Sequence, residues 1–397
     1  MTALDGSISR QRRAILPLIL AASLLPVTGY YVTTAPKLDV LRRGATTHLL
    51  AMGRKRPDAQ TAQLAEAIPA IAADPLNQQA VSGVIAARLQ VGGDTKLALQ
   101  QAALLRQLGW RSTSALQNLL WRGGSTRDLP LIMDTLDALL RRQKLLDTIY
   151  PLLNLMTVDP DFRILLTRRL TGRPSWRYYY FLSATNLKDP AEINGRFAVM
   201  RAVQRSGDRL TRNEIAPILP RLLGIGRGAQ ALALWRTHAG ALTSPLADPD
   251  FAVAARPLPD DALPISFEWQ LANGSGYYAD ASRDAQGNFL SIDWSGRGTP
   301  VFVSQVTSAT PGRYRLLVTG DTNLSKLTDR LGFRLTCPDG RSVAFTPQGA
   351  AGRQLRLLAD GVISCAFPTL ELHGLVQSGM APGSMTLRSI QMMRAGA

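Results

Sequence analysis

Apolar positions along this chain follow three successive regimes. The first is a continuous run. From Ala14 to Val32 no residue carries a charge, and Arg10, Arg12 and Arg13 stand directly before it. At 1.5 Å per residue such a run is close to the roughly 20 residues that cross a hydrocarbon core. Basic residues on the N-terminal flank predict a cytoplasmic tail (1–13), a transmembrane signal-anchor (14–32) and an exported body. Tyr30 and Tyr31 fall at interfacial depth. The same basic-then-apolar order also opens a cleaved signal peptide, and a buried helix of a soluble body is the third reading.

The second regime has helical period. After a juxtamembrane linker (33–57), residues 58–241 read as helices joined by short loops. In TKLALQQAALLRQLG (95–109), Leu97, Leu104, Leu105 and Leu108 recur at helical spacing, with Ala98 and Ala102 along the same side. Asp94 is placed as an N-cap and Gly109 as a stop. Similar stops are expected at Gly92-Gly93, Gly123-Gly124, Gly172, Gly207 and Gly240. Gly224-Ile225-Gly226-Arg227-Gly228 lacks the full dinucleotide-loop spacing and follows a helix, so it reads as a break between two helices.

The third regime alternates. A proline-rich segment, 242–263, has no clear period and reads as a linker. From 264 to 397, about ten short runs carry strand signatures bounded by turns. They include ISFEWQL (265–271), NFLSIDW (288–294), PVFVSQV (300–306), GRYRLLVTG (312–320), VISCAF (362–367) and SMTLRSIQMM (384–393). In the fourth, Tyr314, Leu316 and Val318 share one face. The stretch 273–287 reads as a glycine-rich surface hairpin. The expected architecture is α then β: a membrane helix, a helical solenoid and a jelly-roll sandwich.

Charge divides along the same lines. The net charge is +16, and +13 of it lies in the middle region 33–256. That basic body faces anionic headgroups or an acidic polymer. Nucleic acid is not the expected partner, because the body is exported and no recognition motif or basic arm is present.

Two resemblances follow. Residues 76–109 span 34 positions and hold a helix, the Gly92-Gly93-Asp94 turn and an alanine-rich second helix with Ala86, Ala87, Ala98 and Ala102 at close-packing positions. This resembles the tetratricopeptide repeat family, without its usual Trp-x-x-Leu-Gly start. The resemblance implies a stack of helix pairs that contacts proteins. The Phe267-Glu268-Trp269 opening, the Pro311-Gly312-x-Tyr314-x-Leu316 entry and the closing SMTLRSIQMM run look like carbohydrate-binding modules of the galactose-binding-like sandwich type. That likeness implies a glycan ligand without naming the sugar.

Candidate chemistry is sparse. His48, His238 and His373 show no close metal-ligand spacing, and HExxH and CxxC patterns are missing, so no metal and no cofactor is expected. Glu268 with Asp293 is a weak candidate for a hydrolytic carboxylate pair. Asp280, Asp284 and Asn288 are weak calcium candidates. Binding is better served. Trp269, Tyr277, Tyr278 and Trp294 supply aromatic faces for a sugar, with Asp293 and Arg297 as polar neighbours. Trp269 and Trp294 sit inside strands, where core packing competes with a binding role. Cys337 and Cys365 pair as a disulfide if the body is exported; otherwise they are two buried small residues.

The expected function is that of a periplasmic scaffold on a bacterial inner membrane, without catalytic activity. It would be accessory to polysaccharide synthesis or export. Its partners are envelope proteins at the helical region and a polysaccharide at the sandwich. The alternatives are a cell-wall or polysaccharide-active hydrolase and an intracellular nucleic-acid-binding protein.

Overall fold

A computed structural model describes residues 112–395, apart from 241, 243, 322–323, 325–329 and 376–382, together with a few isolated earlier positions. The run 14–32 and the repeat-like segment 76–109 lie outside the described residues. Among those described, no helix is long and apolar enough to cross a membrane. The chain forms two compact units. One takes in the residues up to Tyr180 and Asn194–Asp208; the other holds Phe181–Ile193 and everything from Arg209.

Helices come first. In chain order they are α1 (Thr113–Thr126), α2 (Leu129–Arg141), α3 (Leu146–Met156), α4 (Pro160–Thr171), α5 (Arg177–Leu182), α6 (Pro190–Arg205), α7 (Arg212–Ile215), α8 (Leu219–Gly224) and α9 (Gly228–Ala239). Local chemistry starts them. Ser112 caps α1 by accepting from the Ala115 amide at 3.2 Å, and Asp128 caps α2 by accepting from Leu131 at 3.0 Å. Asp159 caps α4, with Pro160 at its first position.

One expected stop is not a stop. Gly123-Gly124 lies inside α1, which runs on to Thr126. A Cβ on Gly123 would sit 2.7 Å from Ile132 Cγ1 of α2. The glycine is there because two helices touch, not because one ends. By contrast, Gly207 and Gly240 follow α6 and α9 with positive φ, and Gly226 (φ 73°) breaks α8 from α9.

The first unit is pinned by buried polar groups. The Asp137 carboxylate accepts from Trp176 Nε1 at 2.8 Å and from Arg141 and Arg169. Arg196 is fully buried, donates to the Tyr180 carbonyl and to Asn154 Oδ1, and lies 3.5 Å from the Tyr180 ring centre. A buried cation persists only when so paired. Of the clustered aromatics between Trp176 and Phe181, Trp176, Tyr180 and Phe181 are buried while Tyr179 is exposed.

The second unit carries a large antiparallel sheet. Its strands are β1 (Gln270–Leu271), β2 (Tyr277–Asp284), β3 (Gly287–Trp294), β4 (Val301–Val306), β5 (Tyr314–Gly320), β6 (Leu331–Thr336), β7 (Ser342–Ala351), β8 (Gln354–Ala359), β9 (Thr369–Gly374) and β10 (Gly383–Arg394). The order is β1-β4-β9-β6-β7-β8-β5-β10-β3-β2. β7 joins two halves: Ser342–Ala344 pair with β6, and Phe345–Ala351 pair with β8. The sheet therefore curls toward a closed, sandwich-like form around one core, which includes Leu290, Ile292, Phe302, Leu316, Phe333, Leu372 and Ile390.

Three strand expectations change. ISFEWQL gives only the two-residue β1, because the chain turns at Glu268, whose amide donates to the Ile265 carbonyl. VISCAF is a loop: Ile363 makes one isolated bridge to Gly312, and Phe367 has φ 57°. The hairpin stretch 273–287 instead supplies β2, paired along its full length with β3.

Helices α7–α9 belong to the sheet's unit. Arg212 holds Glu268 at 2.5 and 2.6 Å, Trp235 stacks on Phe267 at 5.5 Å, and the Phe367 ring fills the space beside Gly228 at the start of α9. These contacts gather at the end of the sheet where Ser266 and Thr369 meet Val306.

Candidate functional site

At the opposite end of β4 and β9, where Gly374 donates to the Pro300 carbonyl, the ends of β2, β3 and β10 enclose a cleft of about 730 Å³. Its walls include Tyr277, Tyr278, Trp294, Asp293, Asn273 and Ser384.

Aromatic placement here follows from local backbone geometry. Gly274 and Tyr277 exchange two backbone hydrogen bonds, at 3.1 and 3.2 Å, closing a tight turn before β2. A Cβ on Gly274 would come 2.5 Å from the Tyr277 ring, so glycine lets that ring lie across the turn. Gly276 has φ 85°, a conformation that favours glycine. Tyr277 and Trp294 both meet Phe302 edge-on, at 5.9 and 5.6 Å. Trp294 is 4% exposed; its Nε1 donates to the Arg297 carbonyl at 2.9 Å, and its ring lies against Gly374. It is a wall seated in the core. Tyr278 is the exposed ring, at 51%.

Polar groups complete the cleft. Asn273 Oδ1 accepts from the Ala279 amide at 2.7 Å, fixing the loop and leaving its amide nitrogen to a ligand. Asp293 is exposed and sits between Tyr278 on β2 and Ser384 on β10 in cross-strand register. Arg330 stands at the rim, its Nη1 2.5 Å from where a Cβ on Gly383 would be. The arrangement offers apolar ring faces, one carboxylate, one amide and hydroxyls in a shallow open site. That set suits a hydroxyl-rich ligand with apolar faces.

Of the residues read as binding candidates, Tyr277, Tyr278, Asp293 and Trp294 come together here. Trp269 does not. It is buried, its Nε1 donates to the Asp248 carbonyl at 2.7 Å, and its ring packs on Phe251. The Arg297 side chain is exposed and lies outside the cleft walls, which it supports through its carbonyl. Ser295, which the sequence shows only as a serine that lacks the spacing of a nucleophile elbow, joins the cleft wall; Asn273 and Ser384 carry no sequence signal that separates them from ordinary turn residues.

The weaker candidates separate. Glu268 is tied to Arg212 at the helix end of the sheet, away from Asp293. Asp284 is held by Arg388, which also grips Asp321; this pairing lowers the Asp284 carboxyl to about 2. Asp280 accepts from the Ser282 hydroxyl at 2.7 Å. Among the described residues no cluster of three metal-ligating side chains forms. Cys337 and Cys365 are joined as a disulfide, linking the end of β6 to the loop before β9.

The chain matches no family model and no curated protein.

Proposed function

We propose that this chain is a membrane-anchored interaction protein of the bacterial envelope whose sandwich binds a glycan at the Tyr277–Tyr278–Trp294 cleft. The observation that carries the reading is this convergence: three aromatic rings with Asn273, Asp293, Ser295 and Ser384 around one open cleft. The strand order supports it. Strands β3-β10-β5-β8 lie on one side and β4-β9-β6-β7 on the other, the alternation of a jelly roll, a form common among lectin domains. The Cys337–Cys365 bond suits an exported body. The run 14–32 serves as the anchor, and a tetratricopeptide-like helical stack docks envelope proteins.

The test uses the full chain in mild detergent, titrated against a panel of envelope polysaccharide oligomers. Replacing Tyr278 by alanine removes an exposed ring with little cost to the core. An aromatic contact is worth about 0.5–1.5 kcal/mol, so binding should weaken roughly 3–10-fold with the melting temperature unchanged. No binding by the parent protein to any oligomer would sink the proposal. Crosslinking in intact membranes should recover envelope proteins through the helical region; recovery of nucleic acid instead would favour the intracellular alternative.

A further inference from the structure

The outer face of the sheet at the cleft has a charge pattern opposite to that of the chain. Side chains alternate across a strand. Tyr278 and Asp280 of β2, Ser291 and Asp293 of β3, and Ser384 and Thr386 of β10 therefore share the solvent side, and the buried residues between them point inward. Register sets them in two adjacent rows, Tyr278–Asp293–Ser384 and Asp280–Ser291–Thr386. The two carboxylates are diagonal neighbours, a spacing of about 7–8 Å in antiparallel pairs.

These six positions carry two acids and no base, in a chain of net charge +16. The next arginine along β10 is already held by Asp284 and Asp321. Arg330 at the rim has an interaction of its own. Asp293 has no hydrogen-bond partner among the described residues. Asp280 accepts one hydrogen bond and keeps acceptor capacity.

We infer that the cleft and the two rows running from it bind a saccharide chain bearing free amino groups. Asp293 pairs with one sugar ammonium in the cleft, and Asp280 pairs with a second along the sheet. Tyr278 covers the C–H face of the sugar, while Ser291, Ser384 and Thr386 meet its hydroxyls. Hydrogen bonds between an ammonium and a carboxylate are about twice as strong as neutral ones. Acetylation of the amine removes that gain, and an acidic sugar is repelled. The inference rests on the glycan reading above and narrows its ligand.

The experiment titrates the full chain with glucosamine oligomers, with their fully N-acetylated counterparts and with a uronic-acid oligomer of matched length, at low and high salt. The amine form should bind roughly tenfold or more tightly than the acetylated form at low salt, and the margin should shrink at high salt. Asp293→Asn should erase most of the preference, weakening the amine form far more than the acetylated oligomer. Asp280→Asn should erase part of it. Equal binding of amine and acetylated forms, tighter binding of the uronic-acid oligomer, or a preference that survives the double variant overturns the inference while the glycan reading stands. Failure of all three oligomers to bind overturns the inference, and the glycan reading falls with it when the envelope panel fails as well.

Discussion

Replacing Cys337 and Cys365 together by alanine tests what holds the sheet's helix-side end. The bond closes a loop between positions 28 apart in sequence, and that loop contains β7 and β8. In the chain-entropy account, cross-linking a loop of this size removes about 12 cal/mol/K from the unfolded ensemble, or about 3.6 kcal/mol at 25 °C. Little should offset this in the native state, because the flanks are independently tied. Cys337 donates to the Arg341 carbonyl at 2.7 Å, and Phe367 to Ala309 at 2.9 Å. The double variant should therefore fold, but with its sheet about 3–4 kcal/mol less stable. Because the chain has two units, a global melt mixes them; hydrogen exchange at the β6 and β9 amides under increasing urea isolates the sheet. Reductant should lower the parent to the level of the variant and leave the variant unmoved. A loss below about 1 kcal/mol, or a reductant effect on the variant, refutes the argument.

Two further outcomes are expected. Gly123→Ala should destabilise the α1–α2 pair by about 1–3 kcal/mol through overpacking against Ile132 Cγ1, and the cost should shrink in an Ile132→Ala background, where that atom is gone, read by hydrogen exchange at the α1 and α2 amides. His373 is half-buried on β9; burial, then the nearby Arg334 charge, lowers its pKa below the ordinary 6.5. Its contribution is full above about 6.5 and falls as the pH drops from there toward the lowered folded value, because the unfolded chain takes up the proton first. NMR titration should find its midpoint under 6.5, and His373→Gln should flatten stability across that window; a midpoint at or above 6.5 contradicts the burial argument.

Legibility in the sequence depended on how strong the local signal was. Helices α2, α3 and α4 announce themselves through leucine spacing and an Asp or Pro at two of their starts, since caps and faces are local properties. Strands β4, β5 and β10 show plain alternation of large apolar residues. β2 does not, because its inward positions include Ala279 and Ala281, which carry little hydrophobic contrast between Tyr278, Asp280 and Ser282. Its strand character comes from pairing with β3, which no window on the chain displays. Phe267 and Trp269 misled in the other direction: both are buried, but around a turn at Glu268.

The sequence by itself determined the order of helices before sheet, the positions of most elements and the aromatic and cysteine residues available. It did so because propensity, capping and periodicity act over a few neighbours. Tertiary structure alone decided which residues share a place. It turned Gly123 from a helix stop into a contact, joined α7–α9 to the sheet through Arg212, Trp235 and Phe367, and sent Trp269 inward. It also brought Asn273, Tyr278, Asp293 and Ser384 from four segments to one cleft. The physical reason is the register of β2, β3 and β10: residues about ninety positions apart, such as Asp293 and Ser384, become neighbours only when backbone hydrogen bonds between strands fix which faces which.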